Sequence, residues 1–149
     1  MPRTQNFKKY IFLILTLTWI FIIFSFSVQN GSLSSLQSGF FSTRIHQFLL
    51  SLNIIVEKST VSYIIRKGAH FTEFFILGVL ARKSSYDIKS NFILIYIFLV
   101  PIIDEFIQSF VPERVMSIYD MGIDALGIIC GIGIITVIHR LIKPKVSLK

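Results

Sequence analysis

The sequence predicts an all-α integral membrane protein, a bundle of four transmembrane helices with an amphipathic interfacial segment on its outer side. Three observations carry that prediction. Of the 149 residues, 53% are hydrophobic and 15% charged, whereas a soluble domain carries about 25% charged residues. The mean hydropathy is +0.71. The chain also divides into charge-poor runs of about 20 residues, the length a helix needs to cross a hydrocarbon core of about 30 Å. Four such spans with short connections use up the length, so one membrane domain covers 1–149 and any activity resides in the bundle.

Span one, over 10–28, holds no charge between Tyr10 and Val28. Lys8 and Lys9 ahead of it also fit a signal peptide, but the run is longer than an apolar signal core of about 7–15 residues and no small-x-small cleavage site follows. It is read as a retained helix. In the outer segment, 29–61, Phe41, Ile45, Phe48, Leu49, Leu52, Ile55 and Val56 recur at helical spacing, with Thr43, His46, Gln47, Ser51, Asn53 and Lys58 mostly elsewhere. That pattern predicts a helix lying in the interface, as a linker resting on the bundle or as a lid over it. Span two, over 62–81, carries Arg66, Lys67, His70 and Glu73 in its first half and the apolar run Phe74 to Ala81 in its second. Span three, over 91–110, has acids only near its end; span four, over 118–138, has them only near its start. Cys130 sits in an apolar run and has no disulfide partner in the chain.

With the N-terminus inside, the inner segments hold Arg3, Lys8, Lys9, Arg82, Lys83, Lys89, Arg140, Lys143, Lys145 and Lys149, ten of the fifteen Lys plus Arg. The positive-inside rule then places both termini in the cytoplasm. Topology accounts for the formal charge of +7, and nothing calls for a nucleic-acid partner.

Helical rise measured from the inner anchors gives depth. Glu73 lies about 14 Å from Arg82, Asp104 about 22 Å from Lys89 and Asp124 about 24 Å from Arg140. Against a core of about 30 Å, all three sit from the midplane outward. Spacing also sets faces: Arg66, His70 and Glu73 share one, as do Asp104 or Glu105 with Gln108, and Asp120, Asp124, Gly127 and Gly131. Three helices thus deliver polar groups to the outer half. Gly127 and Gly131 form a small-xxx-small pair suited to close helix packing.

Ionisable groups at membrane depth are functional suspects. The predicted cluster is Arg66, Lys67, His70, Glu73, Asp104, Glu105, Gln108, Arg114, Asp120 and Asp124. His70, Glu73, Asp104 and Glu105 offer ligands for a divalent metal, although no cofactor motif is evident. Alternatively, Arg66, Lys67 and Arg114 clamp a phosphate or pyrophosphate headgroup, with His70 or an acid as general acid or base. A third reading makes the cluster a buried network that fixes helix register.

The segments Lys67-Gly-Ala-His70-Phe-Thr-Glu73-Phe, Asp104-Glu105-x-x-Gln108-x-x-x-Pro112-x-Arg114 and Asp120-x-x-x-Asp124-x-x-Gly127-x-x-x-Gly131 resemble the signature of VanZ-like membrane proteins. The resemblance covers nearly the whole chain, including a first span followed by a Ser-rich stretch (Ser25, Ser27, Ser32, Ser34, Ser35). Two positions depart from the pattern: Glu113 stands where a glycine often precedes the arginine, and Asp124 where asparagine is usual. The resemblance implies a bacterial cytoplasmic membrane, a role at its outer face in low-level teicoplanin resistance, and as partners the lipid bilayer and a lipid-linked cell-wall precursor or lipoglycopeptide. It supplies no reaction. Two expectations follow: a cell-envelope protein that acts by binding, or a membrane-embedded hydrolase or transferase on a lipid-linked phosphate. A transporter fits less well, because no inverted repeat or broken-helix pair is visible.

Overall fold

The computed structural model of the chain describes residues 3–142. The predicted inner cations Lys143, Lys145 and Lys149 lie outside the described residues, as do the side chains of Arg3, Lys8, Ser32, Ser34 and Ser35. The described residues are all-helical, without a strand. The elements are α1 (Arg3–Ser27), α2 (Gly31–Ser51), α3 (Lys58–Ile88), α4 (Phe92–Tyr96), a 3-10 turn (Ile97–Leu99), α5 (Val100–Gln108) and α6 (Ile118–Ile142). Two helices are long and apolar enough to cross a membrane, α1 over Lys9–Ser27 and α6 over Ile118–Ile142.

α3 is the hub, packing most extensively on α6 and then on α1 and α2. Its 31 residues run well past the predicted 62–81, because charges end an apolar run without ending a ladder of backbone hydrogen bonds. The stop comes at Lys89, whose φ of 55° lets Ser90 N–H return to the Ser85 carbonyl at 3.2 Å, a Schellman-type end. The predicted span over 91–110 is not one continuous helix. Pro101 lacks an N–H, so the Ile97 carbonyl takes the Val100 N–H instead; the backbone tightens to 3-10 before α5 begins.

Glycines let α3 and α6 approach backbone to backbone. A Cβ at Gly127 would lie 2.6 Å from the Phe71 carbonyl oxygen, and Cβ atoms at Gly78 and Gly131 would run into the Ile128 and Phe75 carbonyls. Ile23, Phe74, Leu77, Ala81, Ile97, Val100 and Ile128 form the core. Many large apolar side chains, Phe21, Phe92 and Ile95 among them, face outward.

α2 is arranged inside out relative to a soluble helix. Ser42 is buried, with Ser38, Gly39, Thr43 and His46 partly so, while Leu36, Phe40, Phe41 and Phe48 are exposed. The small polar face meets the bundle and Leu36, Phe40 and Phe48 look away from it, while Phe41, though exposed, stands at the border where α2 meets the cavity lining. His46 is tied to the chain beyond the helix, its Nε2 lying 2.9 Å from the Val56 carbonyl.

Candidate functional site

Four helices and the loops after α1 and α5, the first through Gln29, line a cavity of about 250 Å³ at the end of the bundle where α1 stops and α6 starts. α1 supplies Ile23, Phe26 and Ser27, and α2 adds Ser38 and Phe41. α3 contributes Ile65, Arg66, Ala69, His70 and Glu73, α5 Asp104 and Gln108, and the loop after α5 Arg114. The α1 and α2 sides thus mix apolar and hydroxyl side chains without ionisable groups, and all the ionisable groups come from α3, α5 and the loop after α5. The 3,4-spacing of Arg66, His70 and Glu73 puts all three on the cavity face of α3.

Asp104 is held from two sides. Gln108 Nε2, one turn along α5, donates to its Oδ2 at 2.6 Å, and the Ser27 hydroxyl contacts its Oδ1. Ser27 Oγ also lies 2.9 Å from the Ile23 carbonyl, so its single proton serves one acceptor at a time. Asp124, fully buried, enters from α6 and faces His70, Oδ1 to Nδ1, at 3.6 Å. That exceeds a hydrogen bond. His70 Nδ1 and both carboxylate oxygens of Asp124 have no hydrogen-bond partner among the described residues. One ligand atom from each of His70, Asp104 and Asp124 lies within 4.8 Å of the others.

Three predicted cluster members are directed elsewhere. Lys67, about 100° around α3 from Arg66, pairs with Asp120 and sits 5.1 Å over the Tyr63 ring; it is not part of the cationic wall. Glu105, next to Asp104 but turned from it for the same reason, accepts the Ser117 N–H at 2.7 Å. It thereby anchors the start of α6, where Asp120 N–H reaches Ser117 Oγ at 3.3 Å, an N-cap contact. Its Oε1 remains buried without a partner among the described residues. Gly127 and Gly131 belong to the α3–α6 seam rather than to the cavity.

Arg114 reaches the cavity from a loop shaped by its neighbour. Glu113 has φ 66°, in the left-handed region that favours glycine. A Cβ on Gly31, at the start of α2, would lie 3.1 Å from Glu113 Cβ, so the loop and the α2 start close together over this end. Burial lowers the Arg114 pKa, Asp104 pulls it back up and nearby Arg66 adds to the drop; a guanidinium stays charged throughout.

Sequence reasoning missed two supports. Ser27 stood in the sequence only as one of a Ser-rich stretch, and tertiary packing alone brings it to an aspartate 77 positions away. Trp19 Nε1–H donates to the Glu73 carbonyl at 2.9 Å, fixing α1 against α3 beside the cavity. A lone Trp in an apolar span was the available signal, since a buried indole N–H needs an acceptor.

The family model described as VanZ/LLP1 matches residues 12–139. No curated protein matches the chain, and no solved structure does.

Proposed function

Because the chain belongs to the VanZ/LLP1 family, we propose that it is a four-span protein of a bacterial cytoplasmic membrane, both termini inside, with α2 in the outer interface. Its cavity opens on the outer half of the bilayer, binds the polar headgroup of a lipid-linked cell-wall precursor and so alters susceptibility to teicoplanin-type glycopeptides. The observation that carries this reading is the cavity's mixed wall: Phe26, Phe41 and Ile65 beside Arg66, Glu73, Asp104 and Arg114, as an amphiphile with a charged head requires. A volume of about 250 Å³ is near the lower limit of about 300 Å³ for small-molecule sites. It suits a headgroup better than a whole lipoglycopeptide.

The test is complementation of a strain lacking the gene with wild type, His70→Ala and Arg114→Ala, at matched amounts of folded membrane protein. Both variants are expected to lose teicoplanin protection. Unchanged protection would end the reading.

The convergence of His70, Asp104 and Asp124 favours a second reading, a membrane-embedded hydrolase or transferase on a lipid-linked phosphate. Phosphate release from a polyprenyl pyrophosphate by the purified protein in nanodiscs, lost in His70→Ala, supports catalysis. Intact binding without release supports the first reading.

A further inference from the structure

We infer that His70, Asp104 and Asp124 hold one divalent transition-metal ion beside the cavity, zinc or manganese by the chemistry of the donors. The three come from α3, α5 and α6, so no run of sequence announces them. Their ligand atoms lie within 4.8 Å of one another, and His70 Nδ1 and Asp124 Oδ1 are 3.6 Å apart. Bonds of about 2.1 Å at a tetrahedral angle place ligand atoms about 3.4 Å apart, so the His70–Asp124 pair already stands near that spacing and side-chain adjustment of up to about 1.4 Å closes the set. One imidazole with two carboxylates suits zinc or manganese better than calcium.

Independent support comes from bare atoms. Asp124 is wholly buried, yet neither of its oxygens has a hydrogen-bond partner among the described residues, nor does His70 Nδ1. A buried carboxylate left so is costly, and a dication satisfies it together with the ring nitrogen. Asp104 has the outer support that ligating carboxylates have, from Gln108 at 2.6 Å and from Ser27. Where three protein ligands leave a position open, a further group can bind the metal.

The ion also resolves a charge conflict. With Asp120 paired to Lys67 and Glu105 turned to Ser117, the acids left are Glu73 and Asp104 in the cavity lining and Asp124 next to His70, against the guanidiniums of Arg66 and Arg114. Three negative charges against two repel an anionic headgroup, and a bound dication reverses that sign. In this respect the inference deepens the headgroup reading and rests on it; the metal site itself does not.

The experiment uses the full chain purified in detergent without chelator. Metal content is measured by mass spectrometry, and Zn²⁺ and Mn²⁺ are titrated into chelator-stripped protein. Wild type is expected to bind about one equivalent and to melt at a higher temperature when loaded. Asp124→Asn and His70→Gln should weaken binding at least about 100-fold, and Ser27→Ala about tenfold. Asp87→Asn, an acid at the opposite end, should bind as wild type does. Should Asp124→Asn fail to elute as a monodisperse species, Asp104→Asn and the wild-type melting shift decide the matter. Absence of stoichiometric binding by wild type, or equal binding by wild type and the ligand variants, overturns the inference. No antibiotic is involved, so metal absence with protection still lost in His70→Ala would leave the headgroup reading standing, and metal present with protection unchanged would remove only that reading.

Discussion

The two ends of this bundle carry similar polar side chains and treat them differently. At the end where α3 stops, Arg82 Nε donates to Thr136 at 3.0 Å, its guanidinium sits 4.2 Å over the Tyr86 ring, and Tyr86 stacks on His139 at 4.0 Å. Ser85 donates to Asn91 at 2.7 Å. Among the described residues, that end leaves bare only a neutral hydroxyl, Ser84 Oγ. At the cavity end, both carboxylate oxygens of Asp124 and the Nδ1 atom of His70 are buried without a hydrogen-bond partner among the described residues. A network that closes on itself stabilises packing, whereas one with unpartnered polar atoms has coordination to offer.

The seam that joins the ends is where the comparison breaks most completely. In Gly131→Val, atoms are added where a Cβ already meets α3 backbone, including Val79 N at 2.8 Å. Backbone cannot yield as a side chain does, so the variant should lose about 3 kcal/mol and both ends together, read as loss of monodisperse protein. Gly133, two residues on, has nothing within 4 Å of its Cβ position. Gly133→Ala should therefore be neutral or gain up to about 1 kcal/mol.

A sharper contrast sets Arg82→Ala beside Asp124→Asn, each scored for thermal stability and for protection. Arg82→Ala removes a charged hydrogen bond and a cation–π contact, so it should lose about 1–2 kcal/mol while protection persists. Asp124→Asn replaces one buried group lacking a hydrogen-bond partner by another, so in chelator-treated protein its stability should change by less than about 1 kcal/mol while protection is abolished. Matching outcomes for the two variants would erase the distinction between the ends.

The smallest effect concerns the loop that carries Arg114. Glu113→Gly relieves the left-handed backbone at φ 66° and should raise stability by about 0.5–1 kcal/mol, measured as a higher melting temperature with protection retained. A fall would mean that the Glu113 side chain itself fixes the loop. The conformation also explains why a glycine suits this position in proteins that the chain resembles.

Much of this was legible from residue types alone. Helical spacing put Arg66, His70 and Glu73 on one face, and they line one cavity. The Gly127 and Gly131 pair announced a close approach, but its counterpart Gly78 stood in an ordinary apolar run. Adjacent charged residues were grouped too generously, since Lys67 and Glu105 look like cluster members until the 100° turn between neighbours is set by a partner. The outer segment was read from its apolar spacing as amphipathic, without a sign for which face turns inward.

By itself the sequence determined the helical class, the apolar runs of α1 and α6, and the gathering of ionisable residues into three short motifs, because hydropathy and 3.6-residue spacing are local properties of a chain. Tertiary structure decided which charges meet. Whether Asp120 answers Lys67, Glu105 answers Ser117, Ser27 reaches Asp104 or Asp124 is left facing His70 depends on helix rotation and on the depth to which glycines let α6 settle on α3. Those quantities exist only once the helices touch.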